Sequence, residues 1–476
     1  VKARNVLFII SDEHQAQAMS CAGHPLVKTP NMDALAARGV RFTNAYTPSP
    51  ICVPARASLA TGLYAHQTGY WDNALAYDGR IKGWGHALHD AGVHVTSIGK
   101  LHYRNESDPT GFDEQIVPMH IMDGVGQIWG SVRNPLPDVH KTPKWLNDVG
   151  AGMSKYNRYD MLIAERCEQW LAARPESDKP WLLFASFVAP HFPLVVPQDY
   201  LDLYDPADMP LPLFRERNGY KAHPWAQRMR DFADVDSVFG DDDDRRRLAI
   251  ASYFALCTFV DAQIGRVITA LEKAGLRDET LIVYTSDHGE TLGMRDRWGK
   301  SVLYGESTRI PMIVAGPGIP EGQIRHTAVN LLDLPPAFME SFGLSAPADW
   351  QGENLFALAS QPDDSERVSF SEYHAATSPS GGFMIANARW KYHYYAGYEP
   401  ELFDLDNDPA EGVNLAGNPQ YAAVQADMHR RLLAVCDPDA VDAAAKADQD
   451  RLVAQWGGPE AAINAGTPGE TPPPVA

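Results

Sequence analysis

The 476-residue chain predicts an α/β fold: a large, mostly parallel sheet flanked by helices, with a smaller α+β domain after it. Three observations carry this. Short, continuously apolar runs alternate with segments of helical period, the rhythm of βαβ units. Two of those runs end abruptly in clusters of polar residues, as strands do where an open α/β sheet places its ligands. The texture changes near residue 365 to short alternating strands, and the length exceeds the roughly 250–300 residues at which one core stops growing.

The elements follow in order. Val6–Ile10 is apolar throughout, as expected of a strand buried on both faces, and ends in Ser11-Asp12-Glu13-His14. Met32–Arg38 and Gly83–Ala91 read as short helices closed by Gly39 and Gly92, and the second feeds a strand at His94–Ile98. Tyr159–Ala173 has helical period and leads into the strand Trp181–Val188. Arg245 to about Leu276 reads as one long helix, its start at Asp241–Asp244 acidic as the helix dipole favours. The strand Leu281–Ser286 ends in Asp287-His288-Gly289-Glu290, and Pro311–Ala315 is a further buried strand. Val368–Tyr373, Phe383–Ala386, Trp390–Tyr395 and Glu401–Leu405 read as short strands, followed by helices near Gln420–Val435 and Val441–Gln455. The expected division is a catalytic domain at 1–365, the smaller domain at 366–456 and a Gly-, Pro- and Ala-rich tail at 457–476. Such a tail builds no core of its own; lying on a neighbouring subunit, it would favour a homo-oligomer.

Composition excludes some functions. Forty-one Lys and Arg against 61 Asp and Glu leave a net charge of −20, which argues against binding nucleic acid through a basic surface. No stretch reads as a membrane span, and the N-terminal run lacks the length and cleavage site of a signal peptide. The five cysteines are odd in number and scattered, so they form neither a disulfide framework nor a paired metal site. The expectation is a cytoplasmic protein.

The sharpest local signal is Cys52-Val-Pro-Ala-Arg56. Pro54 suits a helix's first turn, which puts Cys52 just before the N-terminus, where free backbone N–H groups favour an anion. Arg56 then falls within reach of a group attached to Cys52. Alone, the string reads equally as a half-buried free cysteine beside an unrelated arginine. Asp12-Glu13 and Asp287-His288 each end an apolar strand, and either pair alone reads as a solvated loop. Together they bring four potential ligands to one sheet edge. Carboxylates are hard oxygen donors that suit Ca²⁺, Mg²⁺ or Mn²⁺.

With these pieces in view the sequence resembles the type I sulfatases of the alkaline phosphatase superfamily, including bacterial arylsulfatase- and choline-sulfatase-like members. The resemblance rests on six segments in order: Asn5–Asp12, Thr29–Ala36, Cys52–Ser58 with Thr61-Gly62, Gly99–His102, Ser286–Gly289 and Glu401–Pro409. It implies an alkaline-phosphatase-like sheet and a Cys52 oxidised to Cα-formylglycine by a maturation enzyme. It implies one divalent ion, Ca²⁺ or Mn²⁺, held by Asp12, Glu13, the modified Cys52, Asp287 and His288. Many sulfatases carry a second Asp in place of Glu13 and an Asn in place of His288; the Asp-His form is typical of choline-sulfatase and phosphonate-monoester-hydrolase branches. Arg56 matches the residue holding the formylglycine. Lys100 and His102 match residues that bind sulfate and assist the nucleophile, while His191 and Lys300 match groups at the ester and leaving oxygen. Asn73 resembles the Asn of choline-sulfatase-like members.

The implied reaction is hydrolysis of a small alkyl or aryl sulfate monoester. In it, one hydroxyl of the hydrated formylglycine attacks sulfur, His191 protonates the leaving alcohol and His102 acts as base to release sulfate. The alternative is a phosphonate monoester or phosphodiester hydrolase, against which the Lys100–His102 pair weighs. A third reading is a binding protein whose Cys52 is never converted. Among Trp71, Tyr77, Trp84, Tyr103 and Trp129, most are expected in the core or scaffold, with some lining an aromatic pocket for a quaternary ammonium.

Overall fold

A computed structural model describes residues 3–138, 144–174, 179–466 and 471–474. The first strand, β1 (Asn5–Asp12), lies near the middle of an eight-stranded sheet. The others are β2 (Gly39–Phe42), β3 (His94–Lys100), β4 (Glu114–Met119), β5 (Trp181–Pro190), β6 (Thr280–Ser286), β7 (Met312–Ala315) and β8 (Gln323–Arg325). The order is β8-β2-β7-β6-β1-β5-β3-β4. Strands β6, β1, β5, β3 and β4 run parallel, in register through pairs such as Phe8 with Phe184 and Val283. Strand β7 runs antiparallel to both of its neighbours.

The continuous apolar runs follow from burial on both faces. Leu7, Ile9, Leu183, Ala185 and Ile282 point into one layer. Helices α4 (Lys155–Ala172) and α5 (Asp243–Lys273) cover that face, numbered after α1 (Pro30–Ala37), α2 (Cys52–Thr61) and α3 (Trp84–Asp90). Val6, Phe8, Ile10, Leu182, Phe184 and Val283 point into the opposite layer, against Trp84 of α3 and Phe338 of α6 (Leu334–Ser341). Phe8 stacks on Phe184 with ring centroids 4.7 Å apart. Each such side chain contributes about 1.5–3 kcal/mol by leaving water, so the central strands anchor whatever their ends carry.

Two expectations need adjusting. The long helix runs 243–273 rather than 245–276, because the Asp242 side chain caps it by accepting the Arg245 N–H at 2.8 Å. That helix is also long and apolar enough to cross a membrane by length and composition, contrary to the sequence reading. Its apolar surface is taken up by the core, where 83% of the relevant window is buried.

The second sheet is antiparallel, with strands β9 (Ser369–Tyr373), β10 (Gly382–Ala386), β11 (Trp390–Tyr395) and β12 (Glu401–Asp404) in sequence order. Helices α7 (Ala422–Val435) and α8 (Pro438–Gln455) follow. Buried Glu372 of β9 fastens this sheet to the first domain. Its carboxylate accepts the His66 backbone N–H and meets the His66 ring, both at 3.0 Å, and lies 2.9 Å from His374. Beyond α8 the chain returns to the large domain: Ala465 O accepts the Trp129 N–H, and Thr471–Pro473 line a cleft there. Residues 467–470 and 475–476 of the expected tail lie outside the described residues.

Candidate active site

The carboxyl ends of four neighbouring parallel strands, β6, β1, β5 and β3, open on one side of the sheet. They deliver Asp287 and His288, Asp12 and Glu13, His191, and Lys100 and His102, respectively. Helix α2 brings Cys52 to the same place as its first residue, one position further into the helix than expected, with Ile51 as the cap. The backbone bends to achieve this. Glu13 and His102 both take positive φ, 68° and 54°, a strain of about 1–3 kcal/mol each that functional sites commonly carry. Gly99 also has positive φ, 102°, and a Cβ there would stand 2.2 Å from the Ser186 carbonyl oxygen, so only glycine permits the bulge before Lys100.

Arg56 sits close enough to Cys52 to feel its charge, and its Nη2 is without a hydrogen bond. It is fully buried, its Nε donating to Asp287 at 2.7 Å and its Nη1 to the Lys100 carbonyl at 2.8 Å and the Ser186 hydroxyl at 3.0 Å. It stands 3.6 Å from Asp12, so it acts as the cation between two carboxylates. Lys100 Nζ lies 2.5 Å from Asp12 Oδ2. Burial pushes the Asp12 carboxyl up, but Lys100, His191, Lys300 and His288 together hold it well below the usual carboxylate range.

The donors around this point fit a hard divalent cation. Asp12, Cys52 and His288 offer ligand atoms within 4.8 Å of one another, and Asp12, Glu13 and His191 do likewise. Asp12 Oδ1, Glu13 Oε1 and His288 Nε2 are buried without a well-formed hydrogen bond, and Asp12 Oδ2 is met by the Lys100 ammonium, so the cluster keeps lone pairs open to a cation. His288 Nδ1 lies 3.0 Å from Gly289 O, which fixes the tautomer and leaves Nε2 for a metal. Asp287 belongs to neither group. Its Oδ2 is held by Arg56, and its Oδ1 accepts the backbone N–H groups of His288 (3.0 Å) and Glu13 (3.3 Å).

Glu13 Oε2 meets Lys300 Nζ at 3.1 Å and His191 Nε2 at 3.3 Å, so the least typical candidate ligand is tied to the two groups expected at the leaving oxygen. Glu290, which the sequence reading passed over, sits behind it. Burial and the charge of Glu13 raise its carboxyl well above the usual range while it accepts N–H bonds from Leu292 (2.7 Å) and Gly299 (2.6 Å). His191 and His102 are both held below their usual pKa. Burial and Lys300 lower the first; burial, Lys100 and Arg56 lower the second.

Cys52 is 3% exposed. Burial raises its thiol, but Lys300, a hydrogen bond to His288 and Lys100 bring it below its ordinary value despite Asp12. Asn73 approaches from the other side: its Oδ1 accepts the Val53 N–H at 3.3 Å and its Nδ2 lies 3.9 Å from Sγ. The site opens into a cavity of about 1340 Å³. Of the five aromatics near the site motifs, Trp129 lines it and the others are core or scaffold, as expected of most of them. Tyr77, Trp84 and Tyr103 are core, and Trp71 is buried with its indole N–H on Asp448 at 2.8 Å. Trp145, Tyr156, Phe192, Trp298 and Tyr373 take the lining role instead.

Strand ends that gather buried carboxylates, histidines and lysines around a nucleophile at a helix start define a hydrolase for anionic esters. Comparison with known proteins makes the class specific. The family model described as "Sulfatase" matches residues 4–344, and "N-sulphoglucosamine sulphohydrolase, C-terminal" matches 293–437. The chain is 32% identical to a choline-sulfatase of Rhizobium meliloti (strain 1021), covering 94% of this chain and 90% of that protein. It is 33% identical to the uncharacterized sulfatase YidJ of Escherichia coli (strain K12), covering 92% and 88%. A phosphonate monoester hydrolase from Silicibacter pomeroyi superposes with a TM-score of 0.73 at 28% identity, covering 90% of this chain and 94% of that one. The chain belongs to the sulfatase family of the alkaline phosphatase superfamily, and it is an enzyme that hydrolyses sulfate esters.

Proposed function

We propose that the cleft hydrolyses a small alkyl or aryl sulfate monoester with a Cα-formylglycine made from Cys52 as nucleophile and one Ca²⁺ or Mn²⁺ ion beside it. The observation that carries this is the placement of Cys52, at a helix start, within 4.8 Å of buried ligand atoms of Asp12 and His288. A bound divalent ion would be held by Asp12, His288, Glu13 and the modified Cys52, with Asp287 Oδ1, 3.6 Å from His288 Nε2, at the edge of the set, and would supply electrophilic stabilisation of the sulfate oxygens.

The chain's own residues do the rest. Lys100 and Lys300 offer two ammonium groups to the negative charge of the sulfuryl group, an effect commonly worth several kcal/mol in a water-poor site. Asn73 steadies the helix start that carries the nucleophile. His191, close to Lys300, is placed to protonate the leaving oxygen; the incoming sulfate adds the negative charge that its lowered pKa in the free enzyme requires. His102 takes the proton whose loss lets the formylglycine expel sulfate. Arg56 stands between Asp12 and Asp287 as their shared cation.

A second reading, phosphonate monoester or phosphodiester hydrolysis, is favoured by the Asp287-His288 pair and the likeness to phosphonate monoester hydrolases. One preparation supplied with Mn²⁺ or Ca²⁺ separates the two, tested on choline sulfate, nitrophenyl sulfate and nitrophenyl phenylphosphonate. Sulfate esters leading in kcat/KM support the first reading, and the phosphonate leading supports the second. The mass of the tryptic peptide Phe42–Arg56 decides whether Cys52 carries the aldehyde, and an unmodified thiol in an active preparation overturns the proposed nucleophile.

A further inference from the structure

Although the chain as a whole is strongly acidic, its cleft is not. Among the described residues lining it are five cationic side chains, Lys100, Lys144, Lys155, Arg297 and Lys300, against a single carboxylate, Asp148. Lys100 and Lys300 are matched by Asp12 and Glu13 behind them. The remaining three have no ion-pair partner among the described residues. Lys144 and Lys155 are exposed at the rim, where water solvates them.

Arg297 is different. It is half-buried in the cleft wall, three residues before Lys300, and its Nε is buried with no hydrogen-bond partner. Among the described residues its one side-chain bond is a long contact of 3.5 Å from Nη1 to the Ala226 carbonyl. Burial and the charge of Arg230 pull its guanidinium down to about 10 against the opposing effects of Tyr373, Tyr304 and Asp234, so it remains a cation at neutral pH. A buried charge is costly without a counter-charge, and a guanidinium presents a planar fork matched to carboxylate or sulfate oxygens.

We propose that Arg297 is the specificity-determining element of a second anion subsite, and that the preferred substrate carries a carboxylate or second sulfate in addition to the ester that is cleaved. The proposal rests on the sulfatase reading above and narrows its substrate class. It sets this cleft apart from one shaped for a quaternary ammonium, which calls for carboxylates and an aromatic cage around the cation. Low-dielectric walls lined with one sign of charge concentrate such a dianion despite the negative surface.

The test uses sulfate esters of 4-hydroxybenzoate, 4-hydroxyphenylacetate and 4-hydroxyphenylpropionate, each beside its neutral primary amide, with sulfate release as readout. The wild-type enzyme is expected to favour at least one acid over its amide in kcat/KM by tenfold or more, about 1.4 kcal/mol. Arg297→Gln removes most of that preference and Arg297→Lys keeps part of it. Because each acid is compared with its own amide in both enzymes, the intrinsic reactivity of the leaving group cancels. Acid-to-amide ratios that Arg297→Gln leaves unchanged overturn the subsite. So does a wild-type enzyme with no preference for any acid, a result that does not depend on the variant folding. If none of these esters nor nitrophenyl sulfate releases sulfate, the sulfatase reading falls and takes the subsite with it; release at equal ratios removes the subsite alone.

Discussion

Arg56→Met tests the electrostatic core of the site. The substitution keeps much of the side-chain volume but removes the bonds to Asp287, the Lys100 carbonyl and Ser186, leaving two buried carboxylates with Lys100 and His288 as their nearest cations. Removing one partner of a buried ion pair costs about 3–5 kcal/mol, so the folding constant falls by roughly a hundred- to several-thousand-fold. A divalent ion binds the folded state only, and at a hundredfold excess over its Kd it stabilises by about 2.7 kcal/mol. Urea unfolding followed by tryptophan fluorescence, in EDTA and then with Mn²⁺, reads both quantities. The variant should lose its several kcal/mol in EDTA and recover part of them with the metal. An unfolding free energy in EDTA within about 0.5 kcal/mol of wild type, the range of an indifferent surface change, would refute the reasoning.

Three further outcomes are expected. Burial pushes the Glu372 carboxyl up, but His66 and His374 bring it down to about 2. A depressed acid stabilises above its unfolded pKa of 4.5 and loses that contribution as pH falls towards 2. Between pH 5 and 3 the wild type should therefore lose about 2 kcal/mol that Glu372→Gln does not, measured by denaturant unfolding at each pH. Thr471→Val deletes the hydroxyl 3.1 Å from His102 Nε2, a single neutral bond worth about 0.5–1.5 kcal/mol. It should lower kcat/KM two- to tenfold, by the usual conversion, with the melting temperature unmoved; a matching loss in Tm would assign Thr471 a purely structural role. Gly99→Ala should abolish activity and lower expression, because its Cβ meets backbone at 2.2 Å in a left-handed conformation; a wild-type melting curve would refute the need for glycine.

The parts of this molecule that were legible in its sequence share a physical cause. Strands β1 and β6 are buried on both faces, so they write themselves as unbroken apolar runs, and the polar residues that stop the runs are the ones that reach the site. Pro54 fixes a helix start locally, which places Cys52 to within one residue. What escaped depends on contacts between distant segments. Arg56 lies one turn from Cys52 in the helix, yet its partners are on β6, β3 and β5, which no spacing rule announces. Tyr77, Trp84 and Tyr103 stand as close in sequence to site motifs as Trp129 does, but which side of the sheet an aromatic faces is settled only by packing. Glu290 and Arg297 follow recognised motifs by two and flank another by three residues, and only burial without a counter-charge marks the second as unusual. The long helix passes for a membrane segment by composition because a helix wrapped in core and one wrapped in lipid need the same residues.

The return of the chain end to its own cleft has a thermal consequence. Thr471 touches His102 across 369 positions of sequence, and its carbonyl accepts the Tyr156 hydroxyl at 2.7 Å. Among the described residues these two bonds are a small fraction of what holds the central strands, and segments held by few bonds open locally before a molecule melts. Moderate warming should therefore widen the cleft while the catalytic groups are still in place. The enzyme would then become less discriminating, accepting bulkier esters relative to small ones, at temperatures where its total turnover is still rising. A rate ratio for a large and a small sulfate ester, followed up a temperature ramp to the melting point, would register that loss of selectivity as a step preceding inactivation.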